Sequence, residues 1–192
     1  MKNIKISEIA NLPTKYGNFK IQSFQEKQKN DIKEHLVIFT QNIPNTPVIR
    51  IHSECLTGDA LGSLKCDCGE QLDYALGHIA KHNGMVIYHR QEGRNIGLLN
   101  KVNAYALQDK GLNTIEANHQ LGFKADERNY KIIEFILKEF KIDKIRLLTN
   151  NPSKINSLTS IEIIERVEIK IKENDFNKDY LAVKKSGMGH LL

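Results

Sequence analysis

Cys55, Cys66 and Cys68 are the only cysteines in this 192-residue chain, and they fall together in HSECLTGDALGSLKCDCGEQL. An odd number of thiols cannot pair off, and Cys66 and Cys68 are too near in sequence for an easy disulfide. Clustered thiols in a cytosolic chain more often hold a metal than build a disulfide framework. Three thiolates are one ligand short of a closed tetrahedral zinc site. Structural zinc sites fill all four positions with protein groups, whereas catalytic ones keep one for water. The spacing therefore suggests a zinc ion that does chemistry. His52 or His89 could instead close the tetrahedron and make the metal a loop staple, and the cysteines alone leave both readings open.

Four further segments are dense in functional side chains and poor in core periodicity. RIHSEC (50–55) leaves a strand and ends in the first thiol; Arg50 and Glu54, an even number of residues apart, would share a strand face. HRQEGRNIG (89–97) runs from a strand end through Gly93 to a helix start, where two arginines and a glutamate suit phosphate and polar-ring recognition. In EANHQLGFKADER (116–128), Asp126 and Arg128 are expected to open a helix, where Asp126 could be no more than its N-cap or could carry chemistry. In LLTNNPSK (147–154), Thr149, Asn150, Asn151 and Lys154 would face the crevice beyond a strand's carboxyl end, the usual ligand position in α/β sheets.

These segments need a frame. Strands are expected over Asn18–Phe24, Glu34–Gln41 and Val48–Ser53, bounded by Gly17, Asn30-Asp31 and Pro44–Pro47. Leu72, Ala75, Leu76 and Ile79 recur at helical spacing over Glu70–His82, and Gly84 stops that helix. Met85–His89 reads as a buried strand. Asn95–Asp109 reads as a helix on Ile96, Leu99, Val102, Ala106 and Leu107, and Asp126–Phe140 as a clearer amphipathic one. A strand at Lys144–Thr149, a helix opened by Asn151-Pro152 and a strand at Ile161–Ile171 follow. Gln25–Lys33 and the tail from Glu173 read as flexible. The expected fold is mixed α/β (α+β): one domain over residues 1–192, β-rich at its N-terminus and then alternating strand and helix.

Hydrophobic content of 40% and charged content of 27% are ordinary for a globular protein. Stretches such as LVIF and MVIY are too short to span a bilayer, and MKNIKISEIANLP has no apolar signal region. A cytoplasmic protein without a membrane partner is expected. The net charge of +5 favours anionic partners. The lysines are dispersed, however, and patches such as Lys184-Lys185 read as solvated surface, so no nucleic acid is expected.

Taken together, HSECLTGDAL (52–61), CDCG (66–69), YHRQEGRNIGLLNK (88–101), YALQDKG (105–111), EANHQLGF with ADER (116–128), RLLTNNP (146–152) and MGHLL (188–192) closely resemble GTP cyclohydrolase II. The resemblance covers nearly the whole chain and departs mainly at Glu26–Lys33, Gly62, Lys65 and Asn174–Lys185. It implies catalytic zinc on Cys55, Cys66 and Cys68, with the fourth position for water. It implies GTP as substrate, hydrolysed at C8 of guanine with loss of formate, and cleaved at the α-phosphorus with loss of pyrophosphate, in the first committed step of riboflavin synthesis.

The same resemblance implies GTP contacts from Arg50, Ile51, His52, Ser53 and Glu54, from Gln71, from Glu92, Gly93 and Arg94, and from Thr114, Thr149 and Lys154. Glu92 is the carboxylate expected to read the N1–H and 2-amino edge of guanine. Asp126 is implied as proton acceptor, Tyr105 in losing the formyl carbon, and Arg128 as nucleophile toward phosphorus. A guanidinium gives up its proton only above pH ~12, so a bidentate phosphoryl clamp is the easier role for Arg128. Mg²⁺ is expected with the triphosphate, and a homodimer is implied. A zinc-stapled nucleotide or RNA binder without turnover, or a paralogue stopping at the formamide, would share the thiols and the basic charge. The intact catalytic positions argue against the first and Tyr105 against the second.

Overall fold

The structure, a computed structural model, describes residues 3–28 and 31–191. Its strands are β1 (Ile4–Ile6), β2 (Ala10–Thr14), β3 (Gly17–Lys27), β4 (Ile32–Phe39), β5 (Val48–Ser53), β6 (Gly84–His89), β7 (Lys144–Leu148) and β8 (Glu162–Val167). They form one mixed sheet in the order β1-β3-β4-β6-β5-β7-β8, with β2 also pairing along β3. The first four strands and the β4–β6 pair are antiparallel, whereas β6, β5, β7 and β8 run parallel.

Parallel neighbours need crossovers, and these carry the helices. Between β5 and β6 lie α1 (Leu56–Asp59) and α2 (Cys68–His82). Between β6 and β7 lie α3 (Glu92–Asn95), α4 (Gly97–Gln108), α5 (Thr114–Gln120) and α6 (Lys131–Glu139). The short α7 (Pro152–Asn156) joins β7 to β8, and α8 (Lys178–Met188) follows.

Alternation along β5 divides the core between two faces. Ile49 and Ile51 pack in one cluster with Ile132, Ile133, Ile136 and Leu137 of α6. Val48 packs in the other with Ala75 and Ile79 of α2. Successive crossovers therefore cover opposite faces, and the strand order reverses at β5. Such a reversal opens a crevice beyond the carboxyl ends of the parallel strands. Residues 54–71, 90–130, 149–156 and 168–191 all follow those ends.

The mixed α/β fold agrees with expectation, but several elements differ. Gln25–Lys33 is not a flexible loop: β3 runs through Lys27 and β4 starts at Ile32, so most of it is hairpin. Residues 29 and 30 lie outside the described residues. The last strand ends at Val167 rather than Ile171. The tail expected to be flexible carries α8. Lys184, expected in solvent, is 7% exposed and bonds Asp67. The helix expected from Asp126 begins only at Lys131, so Asp126 caps no helix. Its side chain instead accepts the Arg128 N–H at 3.0 Å, closing a local turn. On α4 the expected apolar face is inverted: Leu99 and Val102 are 76% and 52% exposed, while Lys101 is buried.

Candidate active site

The crevice is a cleft open to solvent, about 1110 Å³ with the open solvent at its mouth included. One wall holds the thiols. Sγ of Cys55, Cys66 and Cys68 lie within 4.8 Å of one another, and no histidine or carboxylate among the described residues joins them. His52 is engaged elsewhere, its Nε2 3.0 Å from Asp59 Oδ1, and His89 lies between His35 and Tyr130. Neither closes the tetrahedron.

Two glycines allow the thiols to converge. A Cβ on Gly58 would stand 2.8 Å from Cys66 Sγ and 3.2 Å from Cys55 Sγ, and one on Gly69 would stand 2.4 Å from Gly58 O. The turn α1 can thus press against the start of α2. Asp59 Oδ2 accepts from Cys55 N at 3.0 Å and from Tyr88 Oη at 2.7 Å, which fixes the loop leaving β5. Without a cation the cluster cannot ionise fully. Cys55 is held far down by hydrogen bonds from Cys66, Cys68 and then Lys101, while Cys66 is pushed up to about 11 by the bond it shares with Cys55. The donor set, two buried thiols and the half-buried Cys68 with no fourth protein ligand among the described residues, fits zinc with an open position.

The floor of the cleft is cationic. Arg50 donates to Leu148 O at 3.1 Å and to Gln71 Oε1 at 2.5 Å, and Gln71 Nε2 donates to Asp67 Oδ2 at 2.6 Å. Asp67 Oδ1 then accepts from Lys184 of α8 at 2.5 Å. Lys154 donates to Ile51 O at 2.7 Å; burial first, and then Arg50 and Arg128, push its pKa well below the ordinary lysine value. Arg128 donates to Ser53 Oγ at 3.0 Å, and from Nε and Nη2 to the two oxygens of Asp126 at 2.9 and 2.5 Å. Burial alone would lower the Arg128 pKa, but its bonds to Asp126 outweigh that and raise it. The same pair holds Asp126 below the usual carboxylate range against its own burial.

The turn after β6 joins the two regions. Gly93, Arg94 and Asn95 are left-handed, with φ of 59°, 59° and 76°. Non-glycine residues in that region cost about 1–3 kcal/mol each and persist where surroundings hold them. Here Arg94 O accepts from Glu127 N at 3.2 Å, Arg94 Nη1 donates to Ala125 O at 3.2 Å, and Asn95 Nδ2 donates to Glu127 O at 3.2 Å. Gln91 and Asn129 exchange two hydrogen bonds beside it. The strained turn thereby docks the segment carrying Asp126 and Arg128.

Of the residues expected at the site, Arg50, His52, Ser53, Glu54, Gln71, Glu92, Gly93, Arg94, Tyr105, Thr114, Arg128, Thr149, Lys154 and the three cysteines line this cleft. Ile51 does not: its side chain is fully buried in the α6 core, and only its carbonyl holds Lys154. Asp126 stands behind Arg128. Glu54 does not meet Arg50 but pairs with Arg90 at 2.7 Å. Glu92 already accepts from Leu56 N at 2.6 Å, Lys101 Nζ at 2.8 Å and Gly93 N at 2.9 Å. A carboxylate offers about four acceptor positions, so one is left for a ligand donor. Sequence reasoning missed Asn118, Tyr180, Lys184 and His190, which also line the cleft. The Asn113-x-x-Glu116 capping box announces the helix bearing Asn118, and MGHLL pointed to the tail.

The profile of GTP cyclohydrolase II matches residues 5–168. The chain belongs to the GTP cyclohydrolase II family. It is 65% identical over 188 residues to "GTP cyclohydrolase-2" of Campylobacter fetus subsp. fetus, covering 97% of this chain and 95% of that one. It is 58% identical over 192 residues to the Helicobacter pylori (strain J99) protein of the same name, covering all of both chains. With that of Sulfurospirillum multivorans it shares 71% over 141 residues, 73% of this chain and 100% of that one. Among solved structures, a two domain 3,4-dihydroxy-2-butanone 4-phosphate synthase from A. baumannii aligns with a TM-score of 0.47 at 18% identity. That alignment covers 89% of this chain and 41% of the other.

Proposed function

We propose that this enzyme is a zinc-dependent GTP cyclohydrolase II. It hydrolyses GTP to 2,5-diamino-6-ribosylamino-pyrimidinone 5′-phosphate, formate and pyrophosphate, the first committed step of riboflavin synthesis. The observation that supports this most is the meeting, in one cleft, of three clustered thiols with Arg50, Arg128 and Lys154. When bound at the thiols, zinc supplies a water acidified enough to attack a purine carbon at neutral pH.

The cations gather the polyphosphate. The Arg128 guanidinium, held charged by Asp126, presents a rigid fork suited to two phosphate oxygens. That pairing favours a clamp over a covalent nucleophile, since a nucleophile would first have to lose the proton that Asp126 helps to hold. Asp126 serves as proton acceptor only after Arg128 has turned part of its fork to phosphate. The charged form of Lys154, which burial and its neighbours Arg50 and Arg128 disfavour, is favoured again as the polyanion arrives. Tyr105 Oη lies 3.3 Å from Thr57 Oγ1, beside the thiols. Burial pushes its pKa up to about 12, which keeps the phenol protonated as a donor for release of the formyl carbon.

GTP contacts are assigned to Arg50, Ser53, Gln71, Glu92, Gly93, Arg94, Thr114, Thr149 and Lys154, with Mg²⁺ carried on the triphosphate. His52 and Glu54 border the same cleft, and Ile51 contributes its backbone. Exposed Leu98, Leu99 and Val102 on α4 support a homodimer. Among the described residues no helix is long and apolar enough to cross a membrane. The test is formate release by the purified protein from GTP and from ATP with Zn²⁺ and Mg²⁺ present. Formate from GTP alone is expected, and no formate from GTP would refute the assignment.

A further inference from the structure

The amphipathic logic of α4 is inverted: it exposes leucines and buries a lysine. Lys101 is 8% exposed, and its Nζ lies 3.0 Å from Cys55 Sγ and 2.8 Å from Glu92 Oε1. The stem of Lys101 passes against Gly93, where an added Cβ would stand 3.1 Å from Lys101 Cβ. A buried ammonium needs partners, and this one has a thiol and a carboxylate. Nothing in the core periodicity calls for a lysine here.

We propose that Lys101 is a positioning residue of the metal centre, donating an N–H···S hydrogen bond to the Cys55 thiolate and supplying the fixed positive charge beside a three-thiolate zinc site. This rests on the assignment of the thiols to zinc. Zn²⁺ with three thiolates carries net negative charge, which is costly in a buried site unless a cation stands near. Lys101 is the ammonium in hydrogen-bond reach of a thiol. Glu92 aims it: Oε1 takes the ammonium, and Oε2 takes the N–H of Leu56, the residue after Cys55. Cys55 is thus held at its sulfur by Lys101, at its own N–H by Asp59 and at the next N–H by Glu92. A sulfur that accepts a charged hydrogen bond donates less to the metal, so Lys101 also tempers the Cys55 thiolate electronically.

The experiment measures metal affinity rather than turnover. Zinc dissociation constants are determined by competition with a chromophoric chelator for the wild type, Lys101→Met and Lys101→Met/Glu92→Gln, each checked for folding. Tight zinc binding by the wild type tests the underlying assignment separately. Lys101→Met is expected to bind zinc more weakly by about 10–100-fold, the range for partners of metal ligands. The double variant, which leaves no unpaired carboxylate, is expected to stay weak. Wild-type affinity in Lys101→Met would overturn the proposal. So would recovery in the double variant, because the lysine would then only neutralise Glu92. In cobalt-substituted protein the sulfur-to-metal charge-transfer band should move to lower energy in Lys101→Met, since its thiolate lone pairs are no longer stabilised. An unmoved band would equally refute the hydrogen bond.

Discussion

Replacing Gly58 by alanine separates metal binding from folding. The substitution adds one carbon inside α1, where its Cβ would stand 2.8 Å from Cys66 Sγ, 3.0 Å from Cys68 Cβ and 3.2 Å from Cys55 Sγ. Ordinary contact begins near 3.4 Å, so Cys66 Sγ must retreat by about 0.6 Å. Zinc–sulfur distances of about 2.3 Å tolerate deviations of roughly 0.2 Å. The required retreat is three times that. Against it stands helix propensity, which favours alanine over glycine by about 1 kcal/mol. The metal-free fold should therefore keep its thermal midpoint within a few degrees, whereas zinc affinity should fall about 10-fold or more. The assay is zinc content after dialysis against a chelator, with formate and pyrophosphate measured from the same sample. Formate should fall with zinc. A Gly58→Ala protein that keeps one zinc per chain and wild-type formate release would refute the claim that close packing on this glycine sets the thiol geometry.

Arg128→Ala should slow pyrophosphate release by about 10²–10³-fold, the usual loss for one preorganised charge-stabilising group. Arg128→Lys should recover only part of that loss, because an ammonium keeps the charge but not the bidentate fork, as single-turnover pyrophosphate assays would show. Lys184→Met leaves Asp67 charged and 1% exposed, so urea unfolding should reveal a loss of about 3 kcal/mol together with a raised KM for GTP. Acid should destabilise the fold through His35 and His89, which are fully buried. Burial, opposed by Glu26, pushes His35 down to about 4, and burial followed by His35 pushes His89 well below the ordinary value. A depressed histidine pKa means that the unfolded chain binds the proton first, so stability is full above pH ~6.5 and falls toward pH 4, by about 3 kcal/mol for His35 alone. Urea titrations of metal-free Cys66→Ser protein at pH 7.5 and 5.0 test this without a contribution from zinc release.

The parallel strands and α2 were legible because buried strands and amphipathic helices repeat apolar residues at their own periods. Where function overrides that period, the sequence misleads. The α4 periodicity placed Leu99 and Val102 inward, yet the helix turns Lys101 to the thiols. In α8 the residues buried most deeply include Lys184, so no apolar stripe announces it. Asp126 was misjudged because an N-cap and a local Asx turn use the same bond, a carboxylate accepting an N–H two residues on. The thiol cluster was legible from local spacing alone. The cationic floor was not, because Arg128 meets Ser53, Lys154 meets Ile51 and Lys184 meets Asp67 only after strands far apart in sequence pair.

The central claim is that one cleft holds two separable chemistries, water activation at the thiols and phosphoryl cleavage at the cations. The most direct measurement is the ratio of formate, pyrophosphate and GMP formed per GTP by the wild type and by folded, zinc-free Cys66→Ser. The wild type should release formate and pyrophosphate together. Cys66→Ser should convert GTP slowly to GMP and pyrophosphate, with no formate. Formate from the zinc-free variant would contradict the assignment of ring opening to the thiol-held metal, and loss of both products would contradict the separation of the two chemistries.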